Sequence, residues 1–196
     1  MSDPRLTRYA ELLVDTCLGV QPGWQVVVYG TPEGRPLVEE VVRTLARRDA
    51  YALLRVTFGG NAGGPRQWAA EVPLERLRVP APLELHTLLG ADALIVVDAP
   101  ENTRDAAGMP AERLLAQQAG LVPVLERLTQ HEVPWVGCQY PTAALAQDAG
   151  MPTDEFAEFL YGACLLDWDA ERERMQRYAD RFDRASTVRL VGPETD

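Results

Sequence analysis

Lysine is missing altogether: all 19 basic residues of this 196-residue chain are arginine. That absence removes Schiff-base catalysis, the phosphate-gripping lysine of a P-loop and any lysine general base in one step. A receiver-domain pocket, which wants a lysine beside its aspartates, goes with them. Serine occurs only at Ser2 and Ser186, and no GxSxG elbow exists, so a serine hydrolase lacks its nucleophile. Histidine is as scarce, with His86 in a leucine-rich helical piece and His131 at a helix end, where it can meet the last carbonyls. His131-Glu132 imitates the start of HExxH, but the fifth position is Trp135 and Pro134 would break the helix. Cys17, Cys138 and Cys164 are widely spaced and form no CxxC pair, which leaves neither a zinc knuckle nor a redox motif. Each lies in an apolar run and is expected as a buried free thiol. Cys138 has no histidine placed to make it a nucleophile. Isoleucine appears only at Ile95, a bias of base composition without functional meaning.

No stretch approaches the ~18 apolar residues of a membrane span, and Met1 to Arg5 lack an apolar signal region. The expectation is a cytoplasmic chain with no membrane partner. A net charge of -10 argues against nucleic acid, since phosphate binding needs clustered cations. The length suits one core plus a helical appendage. A catalytic metal site draws about three to five ligands from His, Asp, Glu or Cys, and the two imidazoles seed no such set.

What is present reads as alternating short strands and helices. Leu6, Tyr9, Ala10, Leu13 and Cys17 recur at helical spacing over 4–18, with Pro4 in the first turn and Gly19 after the end. Trp24 to Tyr29 is a buried strand, and Pro36 opens a helix with Val38, Val41, Val42 and Leu45 on its apolar face. Tyr51 to Phe58 is a second strand. The segment Gly59 to Pro65 follows as a loop; it fits neither a P-loop nor GxGxxG. From Pro65 to Leu89 short helical pieces are broken by Pro73, Pro80 and Pro82. Ala91 to Val97 is the clearest strand, a helix over 110–130 carries Leu114, Leu115, Leu121, Leu125 and Leu128, and Pro134 to Gln139 is another strand before a helix over 142–148. This order predicts an α/β fold: a mostly parallel open sheet with helices on both faces and right-handed crossovers.

A C-terminal helical pair completes the reading. Thr153 is placed as a helix cap with Phe156, Phe159, Leu160, Ala163 and Cys164 on one face. Asp167 caps the next helix, with Trp168, Met175, Tyr178, Ala179 and Phe182 as its buried stripe. Thr187 to Val191 alternates as a strand. The expected division is an open-sheet domain over 1–150, a helical extension packed on it over 151–186, and, over 187–196, the start of a strand leading into an absent catalytic domain.

Ligands of open parallel sheets gather beyond the carboxyl ends of the strands. Here those ends carry Tyr29-Gly30-Thr31, then Asp98 to Arg104, then Tyr140-Pro141-Thr142. Ordinary turn chemistry accounts for such residues; the functional alternative is one wall of a cleft shared with another domain. The residues of that rim are Asp98, Glu101, Asn102, Thr103, Tyr140 and Thr142.

Arg8 to Val14 with Gly19-Val20-Gln21-Pro22-Gly23, Ala99 to Arg104, Tyr140-Pro141-Thr142 with Ala143 to Ala146, Phe156 to Leu166, and Gly192 to Asp196 occur in order along the chain. Together they resemble the thermophilic metallo-aminopeptidase family of the aminopeptidase T, aminopeptidase S and PepS type. The resemblance implies a two-domain hydrolase that removes N-terminal residues from peptides with two divalent metals, zinc or cobalt. The family's ligands lie in a C-terminal domain beginning about where this sequence ends, so no ligand or catalytic position and no cofactor carries onto this chain. Glu194 replaces a family glycine in a turn that wants positive φ. The resemblance implies a non-catalytic N-terminal domain, inactive alone, that walls the active-site chamber and supports a homodimer. Its partners would be the missing catalytic domain and, in the whole enzyme, peptide substrates. Alternatives are a stand-alone small-ligand module using the rim around Asp98, Asn102 and Tyr140, and a pure dimerisation or scaffold unit.

Overall fold

The computed structural model describes residues 3–58 and 66–195; the glycine-rich loop read at Gly59 to Pro65 lies outside them. Four strands, β1 (Gln25–Gly30), β2 (Tyr51–Val56), β3 (Ala93–Asp98) and β4 (Trp135–Gln139), form one all-parallel sheet in the order β2-β1-β3-β4. The helices between them are α1 (Pro4–Glu11), α2 (Arg35–Arg47), α3 (Arg66–Glu71), α4 (Leu74–Leu77), α5 (Pro82–Leu89) and α6 (Ala111–Thr129). After β4 come α7 (Ala143–Asp148), α8 (Thr153–Cys164) and α9 (Trp168–Asp183). The α/β reading with helices on both faces holds.

Strand alternation divides the core. Val26, Val28, Ala93, Ile95 and Val97 point to one face and meet Leu6, Tyr9 and Leu13 with Leu37, Val41 and Leu45 of α2. Val27, Tyr29 and Leu94 point to the other, against Leu88 of α5 and Val124 of α6. A small third cluster joins Ala69, Leu77 and Ala116.

The segment over 66–89 is broken into three short helices, and α6 holds it. Arg113 donates through Nε to the Ala69 carbonyl at 2.8 Å and through an Nη to that of Val72. Arg127 donates to the carbonyls of Leu88 at 3.1 Å and Leu89 at 2.8 Å. Two arginines of one helix thus satisfy the carbonyl ends of α3 and α5, which short helices leave open. Between them, Gly120 lets α6 lie directly on the chain: a Cβ there would stand 2.8 Å from the Leu77 carbonyl oxygen. A second polar tie crosses the other layer. Glu84 of α5 accepts from the Tyr29 hydroxyl and pairs with Arg55, joining a helix to two strands. Burial, then the carboxylate beside it, pushes the Tyr29 phenol well above its ordinary value.

Several expectations change. A π-helical segment, Leu12–Cys17, continues α1. Its wider i→i+5 turn brings Leu13, Val14 and Leu18 inward and rotates Cys17 out, so Cys17 is exposed rather than buried. Cys138 and Cys164 are half-buried free thiols. On α6 the buried positions are Ala116, Gly120 and Val124, not the leucines; Leu115 and Leu125 face solvent because the close approach at Gly120 selects the small-residue side. On α8 the buried residues are Phe156 and Tyr161, with Phe159 exposed. Tyr161 is drawn in by an edge-on contact with Tyr9, ring centroids 5.9 Å apart, and by the Arg5 guanidinium 4.6 Å from its centroid. Thr153 is the first helical residue and makes no capping bond, whereas Asp167 caps α9 by accepting from Ala170 N–H at 3.2 Å. The stripe expected as buried on α9 is not: Met175, Tyr178 and Phe182 are exposed, and α9 has no buried residue. Residues 187–191 form no strand; among the described residues an isolated bridge just beyond them joins Gly192 and Thr195. Glu194 shows no positive φ; among the described residues only Asp49 and His131 do so besides glycines, so the strain expected at Glu194 is absent.

Two substitutions test the ties. Arg113→Lys keeps the charge but loses the fork that reaches two carbonyls, and is expected to lower stability by about 1–2 kcal/mol in urea unfolding; an unchanged midpoint would show the fork to be idle. Glu84→Gln leaves Arg55 without its counter-charge and is expected to cost about 1–3 kcal/mol, read from the same transition.

Candidate functional site

The connection after β1 leaves toward β2, and β3 pairs on β1's other side, so the strand order reverses between β1 and β3. In open α/β sheets such a reversal opens a crevice beyond the carboxyl ends. Here β1 runs into Thr31 and a 3-10 turn, Pro32–Gly34, while β3 runs through Asp98 into Ala99 and Pro100. Thr31 Oγ1 donates to the Ala99 carbonyl at 2.5 Å and ties the two exits together. The turn lies tight on β3: a Cβ on Gly34 would meet Ala99 Cβ at 3.0 Å and Val97 Cγ1 at 3.1 Å. That packing closes the bottom of the crevice and leaves a cleft of about 700 Å³ above it.

Asp98, Glu101, Asn102 and Thr103 line this cleft together. The backbone brings them there: Asn102 Oδ1 accepts from Arg104 N–H at 3.0 Å, an Asx turn that folds the segment after β3 over the strand ends. Tyr140 and Thr142 lie elsewhere. Tyr140 follows β4, its N–H bonded to the Asp98 carbonyl at 2.9 Å, and its ring packs against the face that holds Tyr9. Burial, then the nearby Asp3 and Glu33 carboxylates, raises its phenol. Thr142 is buried and caps α7, accepting from Leu145 N–H at 3.2 Å, so its hydroxyl is spent on the backbone.

The cleft also holds residues that the strand-end reading passed over. Glu33 comes from the 3-10 turn, Phe58 from the chain after β2, Arg66 and Gln67 from α3, and Asp148 from the end of α7. Glu33 lies two residues after Thr31, so extending the rim by two residues would have found it; Arg66 and Asp148 are brought in by tertiary packing and carried no local signal. Arg66 pairs with Asp105 at 2.9 Å across the mouth. Glu33, Asp98, Glu101 and Asp148 enter no ion pair among the described residues, which makes the floor acidic. Partial withdrawal from water raises the Asp98 carboxyl, and a hydrogen bond with Gln139 opposes the shift.

A metal is implied by the resemblance, and the donors here do not fit one. Among the described residues no three His, Cys, Asp or Glu side chains converge within coordinating reach. His86 lies in the last turn of α5 and His131 beyond α6 at φ 56°, both exposed and outside the cleft. The cleft is lined by carboxylates, amides and a few apolar side chains, with no metal-holding cluster among the described residues. Among the described residues no helix is long and apolar enough to cross a membrane.

Comparison with solved structures returns wild-type AmpT from Thermus thermophilus at 23% identity and a TM-score of 0.60, covering 82% of this chain and 42% of that one. The chain thus spans less than half the length of this structural relative. A LacI-family transcription repressor from Corynebacterium glutamicum (13% identity, 82% and 55% covered) and an alcohol dehydrogenase superfamily protein from Novosphingobium aromaticivorans (15%, 84% and 49%) follow at TM-scores of 0.37 and 0.32. No curated protein matches. The AmpT likeness establishes the shared α/β fold. The model of the thermophilic metalloprotease (M29) family matches residues 2–196, essentially the whole chain, and this protein belongs to that family.

Proposed function

We propose that this chain is the N-terminal, non-catalytic domain of a metal-dependent aminopeptidase that removes N-terminal residues from peptides, that it walls the active-site chamber and supports a homodimer, and that it is inactive alone. The observation that carries this reading is the pairing of a family match over residues 2–196 with a donor set that assembles no metal site. In the whole enzyme two divalent ions, zinc or cobalt, would sit in the other half and supply the activated water. The open sheet over 1–150, the helical extension over 151–186 and the leading segment over 187–196 are the proposed division, with a cytoplasmic location.

The surface supports a partner. Met175, Tyr178 and Phe182 on α9 and Val188, Leu190 and Val191 after it are all at least half exposed. Apolar side chains in sequence along one end of a chain with a -10 charge are a surface waiting for cover. A catalytic half following α9 would supply that cover and give residues 187–191 a strand to pair with. The cleft at the β1–β3 reversal would then face the chamber, with Asp98, Glu101, Asn102 and Thr103 toward the peptide. A second reading, a small-ligand module, is favoured by the same cleft standing at the position where open sheets bind ligands.

Purified chain supplied with zinc or cobalt is expected to leave aminoacyl-nitroanilides intact, and to gain chelator-sensitive turnover when a separately produced catalytic half of the same family is added. Chelator-sensitive turnover by the chain alone would overturn the reading. Saturable thermal stabilisation by one class of small metabolite, with no gain from the added half, would favour the second.

A further inference from the structure

Size and charge both limit what the cleft at the β1–β3 reversal can take. Its volume, about 700 Å³, falls within the roughly 300–1,000 Å³ of sites that hold a small organic group. A folded partner is too large for it; one or two side chains are not. Among the described residues Arg66 is the one basic group on its lining, and that group is committed. One Nη pairs with Asp105 at 2.9 Å, and the other lies against Gly108, where a Cβ would stand 3.5 Å from it. No cation is left over for a phosphate or a free carboxylate, so anionic ligands are disfavoured.

With Asp105 taken by Arg66, four carboxylates remain, and they come from separate parts of the chain. Glu33 follows β1, Asp98 ends β3, Glu101 lies beyond it, and Asp148 ends α7. They do not converge closely enough to hold a metal ion. An extended organic cation, with its charge spread and its donors several, suits them better than a point charge does. Partial withdrawal from water raises the Asp98 carboxyl, so a cation arriving there relieves a cost that the carboxylate bears alone. The walls provide for the rest of such a ligand. Phe58 lines the cleft and is 71% exposed, and Met109 and Leu114 are half-buried on the same lining. An aromatic face and two flexible apolar side chains fit the flat head and hydrocarbon stem of a long basic side chain.

We propose that this cleft receives an arginine or lysine side chain of the peptide, downstream of the residue that is removed, and so selects basic peptides as the substrate class. This rests on the chamber-wall reading. There the metals and the scissile bond belong to the other half, so the departing residue is fitted in that half, and what reaches this wall is the chain that follows it. A linear polyamine shares the cationic chemistry. A peptide is favoured by Gln67 and Thr103, which line the cleft and whose side chains make no hydrogen bond among the described residues. A main chain offers them both donors and acceptors, whereas a protonated polyamine offers donors alone.

The net charge of -10 draws any cation weakly, and the test must separate the cleft from that background. Isothermal titration of the full chain with acetyl-Ala-Arg-Ala-amide is expected to show saturable binding, about tenfold tighter than the citrulline peptide, which keeps the shape without the charge. Asp98→Asn with Glu101→Gln should erase that preference. Asp154→Asn with Glu155→Gln, which removes the same charges from α8 outside the cleft, should preserve it. Spermidine should bind more weakly than the arginine peptide. Equal affinity for the arginine and citrulline peptides, no saturable binding at all, or a preference that survives the cleft variant would overturn the proposal and leave the chamber-wall reading standing. Tighter binding of spermidine would replace the peptide with a small cation and favour the small-ligand module. Unblocked Ala-Arg-Ala incubated with the chain and zinc should stay intact by mass spectrometry; release of its first alanine would sink the wider reading instead.

Discussion

Strand β1 has no side facing water, and most of the molecule is arranged to satisfy that condition. Val26 and Val28 must be covered by α1 and α2, Val27 and Tyr29 by α5 and α6, and both of its backbone edges by parallel neighbours. Parallel neighbours cannot be reached by a tight turn, so each needs a crossover, and crossovers of one hand send the chain to opposite sides of β1. The crevice beyond Thr31 and Ala99 is a by-product of that routing. So is the position of β2 at the end of the sheet, with no further strand outside it among the described residues.

Carboxylates gather in the cleft without imidazole or thiol among its lining residues; Cys138 sits close by on β4, paired with Val97 of β3. Cys164 contacts the Tyr9 hydroxyl at 3.6 Å, and burial pushes the Cys138 thiol up to about 12. A thiol held protonated in this way is packing material, neither nucleophile nor ligand. What the cleft presents is shape and a group of carboxylates at the mouth of a sheet.

Much of this was legible from residue order because β1 and β3 are short β-branched runs and β4 is a short run set off by Pro134 and Pro141. Their positions, the helix between each pair and the segment Asp98 to Thr103 at the rim all follow from local pattern. Tyr140 and Thr142 were placed at the same rim by the same rule and turned elsewhere, since Thr142 was needed to cap α7 and Tyr140 to fill the core. The leucines of α6 misled because apolar periodicity does not say whether a neighbouring backbone will approach closely enough to want glycine and alanine instead. The α9 stripe misled for the opposite reason: its amphipathic pattern is real, but no residue of α9 is buried among the described residues. The π-helical turn at Leu12–Cys17 is invisible to any reading that assumes a fixed period.

The arginines of α6 have a consequence for the order in which the chain can become native. Arg113 and Arg127 emerge from the ribosome after the carbonyls of Ala69, Val72, Leu88 and Leu89 that they hold. Short helices such as α3 and α5 are marginal by themselves. Helices α3 and α5 therefore remain unsettled during synthesis until α6 has been made. A chaperone or protease meeting the nascent chain would find its opening there.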